Sequence, residues 1–253
     1  MSRYDAQPPF LKAIIHRHYT GATSGIGLQL AMDYLSQGHE VYTVGRNSDV
    51  LHTLAVMGAK TIQLDLTEYD AVMQAFSDIK TLDLFIAAAG VCEYIDMPNF
   101  DSRSIMRVMN ANYGSLVHAI EALLPALKAT KGKIVTVGSA SALVPFVRAE
   151  GYGSSKAAIH YLSKTLQMSL QPYGVKVALV VPGFVKTPMT LQNDFPMPFL
   201  QTVQQASQAI QQGIANDDNV IEFPQTLVQP LKLLAQLPDG VWHFVGSKLS
   251  HTT

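Results

Sequence analysis

Thr20-Gly21-Ala22-Thr23-Ser24-Gly25-Ile26-Gly27 is a glycine-rich stretch that joins a predicted strand over residues 13–20 to a predicted helix. The helix is indicated by apolar residues at helical spacing directly after the stretch, namely Leu28, Leu30, Ala31, Tyr34 and Leu35. A strand, a glycine-rich turn and a helix together form a site for phosphate groups, because glycines admit the ligand to the backbone and the helix N-terminus offers amide donors. The spacing Gly-x-x-x-Gly-x-Gly differs from the commoner Gly-x-Gly-x-x-Gly, so a glycine-rich turn without function is an equal alternative at this point.

Beyond this stretch, predicted strands alternate with predicted helices. The further strands cover residues 41–44, 60–65, 82–89, 133–137 and 175–181, with an edge strand over 219–223. The further helices cover residues 67–79, 101–130 as one or two helices, 152 to about 171, about 199–215 and 225–237. This alternation predicts an α/β fold, a single-domain, Rossmann-type doubly wound parallel sheet with helices on both faces. With 253 residues, of which 48% are hydrophobic, the chain can bury one large core.

Charge and cysteine content exclude several classes of function. The formal net charge of -1 gives no general attraction to nucleic acid. The single cysteine, Cys92, allows no disulfide framework and indicates a reducing, cytoplasmic compartment. Residues 1–12 are predicted to be a polar N-terminal tail without the apolar core of a signal peptide. The sequence contains no run of 18 apolar residues, so no transmembrane segment is expected.

A second candidate motif is Tyr152-Gly153-Ser154-Ser155-Lys156. On a helix, positions four apart share a face, so the phenol and the ammonium would lie side by side. A positive charge beside a tyrosine favours the phenolate and lowers the pKa of the hydroxyl from its usual value of about 10. The pair is therefore a candidate acid/base for a substrate carbonyl or alcohol. Taken alone, it fits equally a surface helix with a packed tyrosine and a solvated lysine.

The end of the second predicted strand bears on the choice of nucleotide. In dinucleotide-binding folds an acidic residue at this point binds the adenosine ribose, whereas an arginine accommodates a 2′-phosphate. Here Gly45 stands at the acidic position and Arg46 follows it. These residues favour NADP(H) over NAD(H), and the alternative is a solvated loop arginine.

Several motifs in register resemble the short-chain dehydrogenase/reductase family over roughly residues 13–190. They are Thr20-Gly21-x-x-x-Gly25-x-Gly27, the turn Ala87–Gly90, Asn112, Ser139, Tyr152-x-x-x-Lys156 and Pro182-Gly183. Ser139 lies 13 residues before Tyr152, and Asn112 lies 27 residues before Ser139, which are spacings that the family shows. Asn110 competes for the asparagine role, but its spacing fits less well. Agreement of all these motifs makes a chance occurrence of the Tyr152–Lys156 pair remote.

The resemblance implies an oxidoreductase that interconverts a carbonyl and an alcohol by hydride transfer. Tyr152 would be the acid/base, and Lys156 would lower its pKa and contact the nicotinamide ribose. Ser139 would hold the substrate oxygen, and Asn112 would anchor a water for proton relay. The residues implied in binding NADP(H) are Gly21, Thr23, Ser24, Gly25, Ile26, Gly27, Arg46, Asp65, Leu66, Ala89, Gly90, Tyr152, Lys156, Pro182, Gly183, Val185 and Thr187. A catalytically silent NADP(H)-binding regulator of the same fold is the alternative, because fold does not imply function.

Three features depart from the family's pattern. Ala87 and Ala88 replace two asparagines in the turn after the fourth strand, and the C-terminal part lacks the glycine-rich ending of many tetrameric members. The first strand contains His16, Arg17 and His18, although a central parallel strand should be almost wholly apolar. This strand is the one feature that favours the silent regulator.

Two further hypotheses address the unusual first strand. His16-x-His18 could place two imidazoles on one strand face, but no other ligand cluster accompanies them, so no metal site is predicted. An error in the gene reading is the second hypothesis, because His-Arg-His-Tyr can be encoded as CAT CGT CAT TAC. Shifted by one base, that text reads Ile-Val-Ile and then begins a Thr codon, which would give an ordinary first strand. An unambiguous in-frame reading on resequencing the source DNA would remove this hypothesis.

The part of the chain after Thr187 is predicted to bind the substrate. Residues from about 188 to 215 are expected to form a lid over the nicotinamide end of the site. Four side chains of this segment imply a small apolar carbonyl or alcohol as the substrate: Met189, Phe195, Met197 and Phe199. Residues 225–253 are expected to form a C-terminal helix and tail, with the helix packed on the sheet edge rather than on a membrane surface. The resemblance also implies a homodimer, formed through the helices at 112–127 and 152–170.

Overall fold

The structure is a computed structural model that describes residues 25–238 and 240–242 in full and the backbone of residues 12–16. The predicted N-terminal tail before Lys12 lies outside the described residues, as does the C-terminal tail after Trp242. The same holds for five residues singled out in the sequence: Arg17, His18, Gly21, Thr23 and Ser24.

Seven parallel strands form one sheet. Their bounds are β1 Lys12–His16, β2 Glu40–Gly45, β3 Lys60–Gln63, β4 Leu84–Ala87, β5 Lys133–Val137, β6 Lys176–Pro182 and β7 Val220–Phe223. The strand order is β3-β2-β1-β4-β5-β6-β7, with every pair parallel. The direction of winding reverses between β1 and β4, as in a doubly wound sheet. The order confirms the predicted α/β fold, and it confirms that the first strand is central.

Eight α-helices cover the two faces of the sheet in the described part of the chain. Their bounds are α1 Ile26–Ser36, α2 Ser48–Val56, α3 Tyr69–Phe76, α4 Ser102–Met109, α5 Ser115–Thr130, α6 Glu150–Ser169, α7 Val203–Ala215 and α8 Gln225–Leu234. Side chains alternate along a strand, so Phe85 and Ile86 of β4 enter different apolar clusters. Phe85 packs with Leu123 of α5, whereas Ile86 packs with Leu30 of α1. Because both faces are covered, the central strands are apolar almost throughout.

The predicted helical region 101–130 contains an irregular turn that the sequence did not indicate. A π-helical turn, Asn110–Gly114, separates α4 from α5. Such turns are rare and frequently occur at functional sites. This turn directs Asn112 inward, where 2% of its surface is exposed, whereas Asn110 is exposed. Asn112 is therefore the asparagine that reaches the interior, as the spacing predicted.

The predicted lid segment divides into two parts in the structure. Residues 203–215 form α7, and two of its side chains, Ala206 and Ile210, are fully buried in the cluster that contains Leu30. The helix begins at a capping box, in which the side chains of Thr202 and Gln205 each bond the other residue's amide. Because α7 belongs to the helical layer on the sheet, residues 188–202 are the part of the predicted lid that lies outside this layer, and we call them the lid loop.

The C-terminal helix packs on the edge of the sheet, which was the first of the two interpretations. Val228 of α8 is fully buried, and Lys232 Nζ pairs with Glu222 Oε1 of β7 at 3.0 Å. Trp242 Nε1 donates to the Pro145 carbonyl at 2.6 Å and so ties the end of the described chain to the loop before α6. Within the described residues, every helix is too short or too polar to cross a membrane.

Candidate active site

The carboxyl ends of three central strands bring the candidate residues to one edge of the sheet. Gly90 follows β4, Ser139 follows β5 and Gly183 follows β6, while Tyr152 and Lys156 lie on α6, which packs against β5 and β6. In open parallel sheets, ligands bind in the crevice outside these strand ends. The fold therefore gathers residues from distant parts of the sequence into one site.

The buried side chain of Asn112 links the loop after β4 to helix α6 through hydrogen bonds. Its Oδ1 accepts a hydrogen bond from the Val91 amide at 2.7 Å. Its Nδ2 donates to the Val91 carbonyl and to Ser155 Oγ, both at 2.9 Å. Because both ends of the amide are engaged with protein groups, the side chain fixes the loop after β4 against α6.

The side chains of Ser139 and Tyr152 face each other across the site, close enough for Ser139 to affect the pKa of the phenol. Burial raises the pKa of Tyr152 to about 12, and the interaction with Ser139 opposes that shift only in part. This direction is opposite to the sequence-based expectation that Lys156 lowers the pKa. Burial is the main cause of the rise. The Lys156 Nζ lies 5.6 Å from the Tyr152 ring centroid and donates to the Val137 carbonyl at 2.9 Å.

Lys156 is itself buried, with 3% of its surface exposed. Burial lowers the pKa of its ammonium to about 8. Gly90 leaves room for this group, because a Cβ at that position would lie 3.2 Å from Lys156 Nζ and 3.6 Å from Asn112 Oδ1. The glycine after β4 thus has a packing reason in addition to the cofactor contact that the resemblance implies.

The start of α1 forms one side of a nucleotide cradle. Gly25 precedes the helix with a φ of 94°, in the left-handed region that favours glycine. No described side chain caps α1, so its first amides can serve a ligand. Thr187 lies against this turn, since a Cβ at Gly25 would be 3.4 Å from Thr187 Cγ2. The structure thus places together two residues that are 162 positions apart in the sequence (187 minus 25).

A cavity beside the same helix contains an orphaned polar atom. Gly27, Gly45 and Asn47 are among its lining residues. Thr43, which also lines the cavity, has a buried Oγ1 without a hydrogen-bond partner in the described part of the chain. A glycine-lined cradle with an unsatisfied hydroxyl fits a bound dinucleotide.

Arg46 is paired with Asp65, the residue implied in adenine binding. Arg46 Nη1 lies 3.0 Å from Asp65 Oδ2, and 32% and 30% of the two side chains are exposed. β3 ends at Gln63, so Asp65 stands in the following loop, where its Oδ1 accepts from the Thr67 amide and hydroxyl. The sequence has glycine, not an acidic residue, at position 45, but the fold brings the Asp65 carboxylate to the Arg46 guanidinium. Asp65 both orients Arg46 and competes with a phosphate for it.

Other residues implied in cofactor binding have side chains that serve the core. Leu66 is fully buried, and Ala89 and Val185 are 8% and 3% exposed. A Cβ at Gly183 would lie 2.7 Å from Leu227 Cδ2 of α8. For these four residues a nucleotide could be contacted only through the backbone.

The sequence did not indicate a set of contacts between the lid loop and the opposite wall of the site, which we call the clasp. The loop contributes Asn193, Asp194 and Phe195 to the clasp, and the wall contributes Tyr94 and Arg148. Tyr94 Oη donates to Asn193 Oδ1 at 2.5 Å, and its ring meets the Phe195 ring edge-on with centroids 6.0 Å apart. Arg148 Nη1 lies 2.9 Å from each carboxylate oxygen of Asp194. The Arg148 Cζ also stands 5.0 Å from the Tyr94 ring centroid. Three consecutive lid residues are therefore held by two residues of the wall.

Cys92 is close to Tyr94 of the clasp and to Tyr152. Burial raises the pKa of the Cys92 thiol to about 11, and its contacts with Tyr94 and Lys156 oppose that shift only in part. A thiol that stays protonated near neutrality is a weak nucleophile. Cys92 is therefore a packed thiol in this structure. Among the side chains that the structure describes, no three His, Cys, Asp or Glu residues gather as a metal site would require.

Comparisons with known proteins agree with this architecture. The family model described as short chain dehydrogenase matches residues 16–195. An uncharacterised oxidoreductase of Myxococcus xanthus is 29% identical over 241 residues, which cover 91% of this chain and 95% of that protein.

Solved structures share the fold along nearly the whole chain. A short-chain dehydrogenase of Burkholderia cenocepacia in complex with NADP has a TM-score of 0.80 at 24% identity, covering 94% of this chain and 99% of that one. One from Burkholderia phymatum in complex with NAD has a TM-score of 0.73 at 20% identity, covering 88% of this chain and 94% of that one. The family match over most of the sequence shows that this protein belongs to the short-chain dehydrogenase/reductase family of oxidoreductases.

Proposed function

We propose that the protein interconverts a carbonyl and an alcohol by NADP(H)-dependent hydride transfer, with Tyr152 as the acid/base. The observation that carries this proposal is the meeting of Asn112, Ser139, Tyr152 and Lys156 around Gly90, although they come from three separate elements. A silent regulator of the same fold has no chemical need for such a set.

Ser139 is placed to hold the substrate oxygen. Its Oγ accepts hydrogen bonds from the Ser141 amide at 3.1 Å and from the Ser141 hydroxyl at 2.9 Å. The proton of Ser139 is thereby left for Tyr152 or for a substrate oxygen on which negative charge develops. Bound NADPH would supply the hydride, and the side chains would supply orientation and the proton.

The raised pKa of Tyr152 keeps the phenol in the proton-donating form that carbonyl reduction would use. A phenol whose pKa is raised to about 12 by burial stays protonated at neutral pH. It is then a proton donor for the oxygen of a carbonyl substrate. In the oxidation direction the same group has to lose its proton first, which this environment opposes.

The wall of the site supports a small apolar substrate. Phe195 of the lid loop stands beside Tyr94, and its ring centroid is 6.1 Å from that of Phe184. Aromatic side chains at a catalytic centre with few polar groups bind apolar compounds. We therefore infer a small apolar ketone or aldehyde as the substrate class.

The clasp gives a prediction for the lid loop. Asp194→Asn removes one of the two carboxylates that pair with Arg148 and leaves the other, Asp96. Since Asp194 is the partner on the loop, we expect the loop to open more often and the KM for the carbonyl to rise about two- to fivefold. Cofactor affinity and thermal stability should stay nearly unchanged, because the pair is partly exposed and screened by solvent. Glu40→Gln is the matched control, since it breaks a surface ion pair of similar length, 3.0 Å to Lys60 Nζ, at the far edge of the sheet. Equal KM values for wild type and Asp194→Asn would contradict the assignment of a lid.

Cofactor choice gives a second prediction. A guanidinium binds a 2′-phosphate through charge-assisted hydrogen bonds, which contribute roughly 1.5–3 kcal/mol. Arg46→Ala should therefore weaken NADPH binding by about ten- to a hundredfold and leave NADH binding nearly unchanged. Asp65 already engages Arg46, which places the expected loss nearer the lower figure. Fluorescence titration of both cofactors checks this, and equal weakening of both would refute the 2′-phosphate contact.

Turnover with a panel of ketones and aldehydes tests the proposed function. We expect NADPH consumption with at least one apolar carbonyl compound, faster with NADPH than with NADH. Tight NADPH binding without consumption across the panel would favour the silent regulator instead.

A further inference from the structure

His160 lies on the catalytic face of α6. It follows Lys156 by four residues and Tyr152 by eight, and positions four apart share one face of a helix. In the sequence it is one of several scattered histidines without ligand spacing. In the structure it stands where β5 ends and Ser139 begins its turn.

The imidazole packs directly on the peptide that carries Ser139. The Ser139 amide donates to His160 Nε2 at 3.3 Å. A Cβ at Gly138 would lie 2.3 Å from His160 Nε2 and 2.5 Å from Cδ2, so only glycine lets the ring come this close. Ser139 itself has extended backbone, with φ -167° and ψ 153°, before the short turn Ala140–Ala142.

The ring has to be unprotonated at Nε2 to accept this bond. Burial lowers the pKa of His160 to about 4, and the charges of Lys156 and Lys164 on the same helix act in the same direction. A separate interaction with the Ser139 backbone acts in the opposite direction without reversing the shift. A neutral imidazole with its proton on Nδ1 is therefore the form present at neutral pH.

We propose that His160 is a positioning residue for the reaction, which acts by accepting the Ser139 amide and so fixing Ser139 Oγ against the Tyr152 hydroxyl. This inference rests on the proposed function, in which Ser139 holds the substrate oxygen. The backbone amide at the end of β5 loses its acceptor when the imidazole is removed. The peptide is then able to rotate, and a displacement of the reacting geometry by about 1 Å lowers the rate by about a hundredfold.

Three variants test the proposal by steady-state kinetics. His160→Leu removes the acceptor and should lower kcat by about ten- to a hundredfold, with little change in NADPH affinity. His160→Gln offers an amide oxygen near the position of Nε2 and should restore most of the loss. His39→Leu is the control, because His39 is buried against Tyr34 at the turn between α1 and β2, and its replacement should leave kcat unchanged.

A double-mutant cycle separates positioning from general destabilisation. If His160 acts through Ser139, His160→Leu should have no further effect on kcat in a Ser139→Ala background. A loss of the same factor in both backgrounds would overturn the proposal. So would a kcat for His160→Gln as low as that for His160→Leu.

A measurement without turnover keeps this inference distinct from the proposed function. In NMR spectra the Ser139 amide proton should shift when His160 is changed to Leu and return toward its wild-type position in His160→Gln. An unchanged Ser139 amide shift in His160→Leu would overturn the inference even in an active enzyme. If the wild type turned over no carbonyl compound, the proposed function would fail, while the amide shift would still report the contact.

Discussion

Tyr152→Phe is expected to lower kcat by about 10²–10⁴-fold, which is the range that a positioned acid/base contributes. The substitution removes one hydroxyl and keeps the ring, so the packing of α6 is retained. NADPH affinity should remain nearly intact, because the proposed contacts with the nucleotide are mainly those of the cradle at Gly25 and Gly27 and of Arg46. Steady-state kinetics and cofactor titration on the same preparation measure both quantities.

Tyr161→Phe is the matched control for that experiment. Tyr161 stands on the same helix, but 78% of its surface is exposed to solvent. Its replacement should leave kcat unchanged. Near-normal turnover of Tyr152→Phe would refute the role assigned to Tyr152.

Lys156→Met should lower kcat by a similar factor and also weaken NADPH binding by about ten- to a hundredfold, because a charged hydrogen bond to the ribose is lost. Methionine keeps the length of the side chain without its charge. Since a buried ammonium opposes folding, the thermal midpoint should stay level or rise. If Lys156→Met is inactive but at least as stable as wild type, the loss of activity reflects a catalytic role of Lys156 and not a structural one. Unchanged NADPH affinity would count against the ribose contact.

The same variant gives a pH dependence with a definite sign. The pKa of Lys156 is about 8 in the folded protein, below its ordinary value of 10.5. Between these pH values the unfolded chain keeps a proton that the folded chain releases, so raising the pH stabilises the folded wild type. The stability difference between Lys156→Met and wild type should therefore narrow from pH 7.5 to pH 10 in urea unfolding. A stability difference that stays constant over this pH range would show that the pKa of Lys156 is not lowered in the folded protein.

The fold was predictable because its determinants are local and periodic. Strands such as β4 and β6 are continuous apolar runs, and helices such as α1 have apolar residues at helical spacing. The alternation of strands and helices along the chain, and with it the parallel sheet, follows from these patterns. The π-helical turn at Asn110–Gly114 was not predictable, since no residue type marks such a turn. The packing of α7 on the sheet was not predictable, because its apolar residues have the spacing of any packed helix and the pattern does not say which surface the helix packs on. The lid itself stays a prediction.

The candidate site was predictable where a motif fixes both residue and spacing. Asn112, Ser139, Tyr152 and Lys156 come together as the resemblance implied. The rise in the pKa of Tyr152 was not predictable from the motif, because burial is a property of the folded chain.

Partners that come from distant segments were missed. The pairing of Arg46 with Asp65 depends on the neighbouring positions of β2 and β3, and that of Arg148 with Asp194 depends on the path of the lid loop. His160 did leave a signal, since it continues the four-residue spacing of Tyr152 and Lys156, but spacing alone does not name its partner. The homodimer implied by the resemblance stays a prediction.

Transfer of deuterium from labelled NADPH tests the central claim most directly. The protein is incubated with NADPH deuterated at either face of the nicotinamide C4, in separate reactions, together with apolar ketones and aldehydes. We predict one deuterium on the carbinol carbon of the product from one of the two labelled cofactors, and none with Tyr152→Phe. Bound NADPH that passes no deuterium to any of the carbonyl compounds would contradict the account.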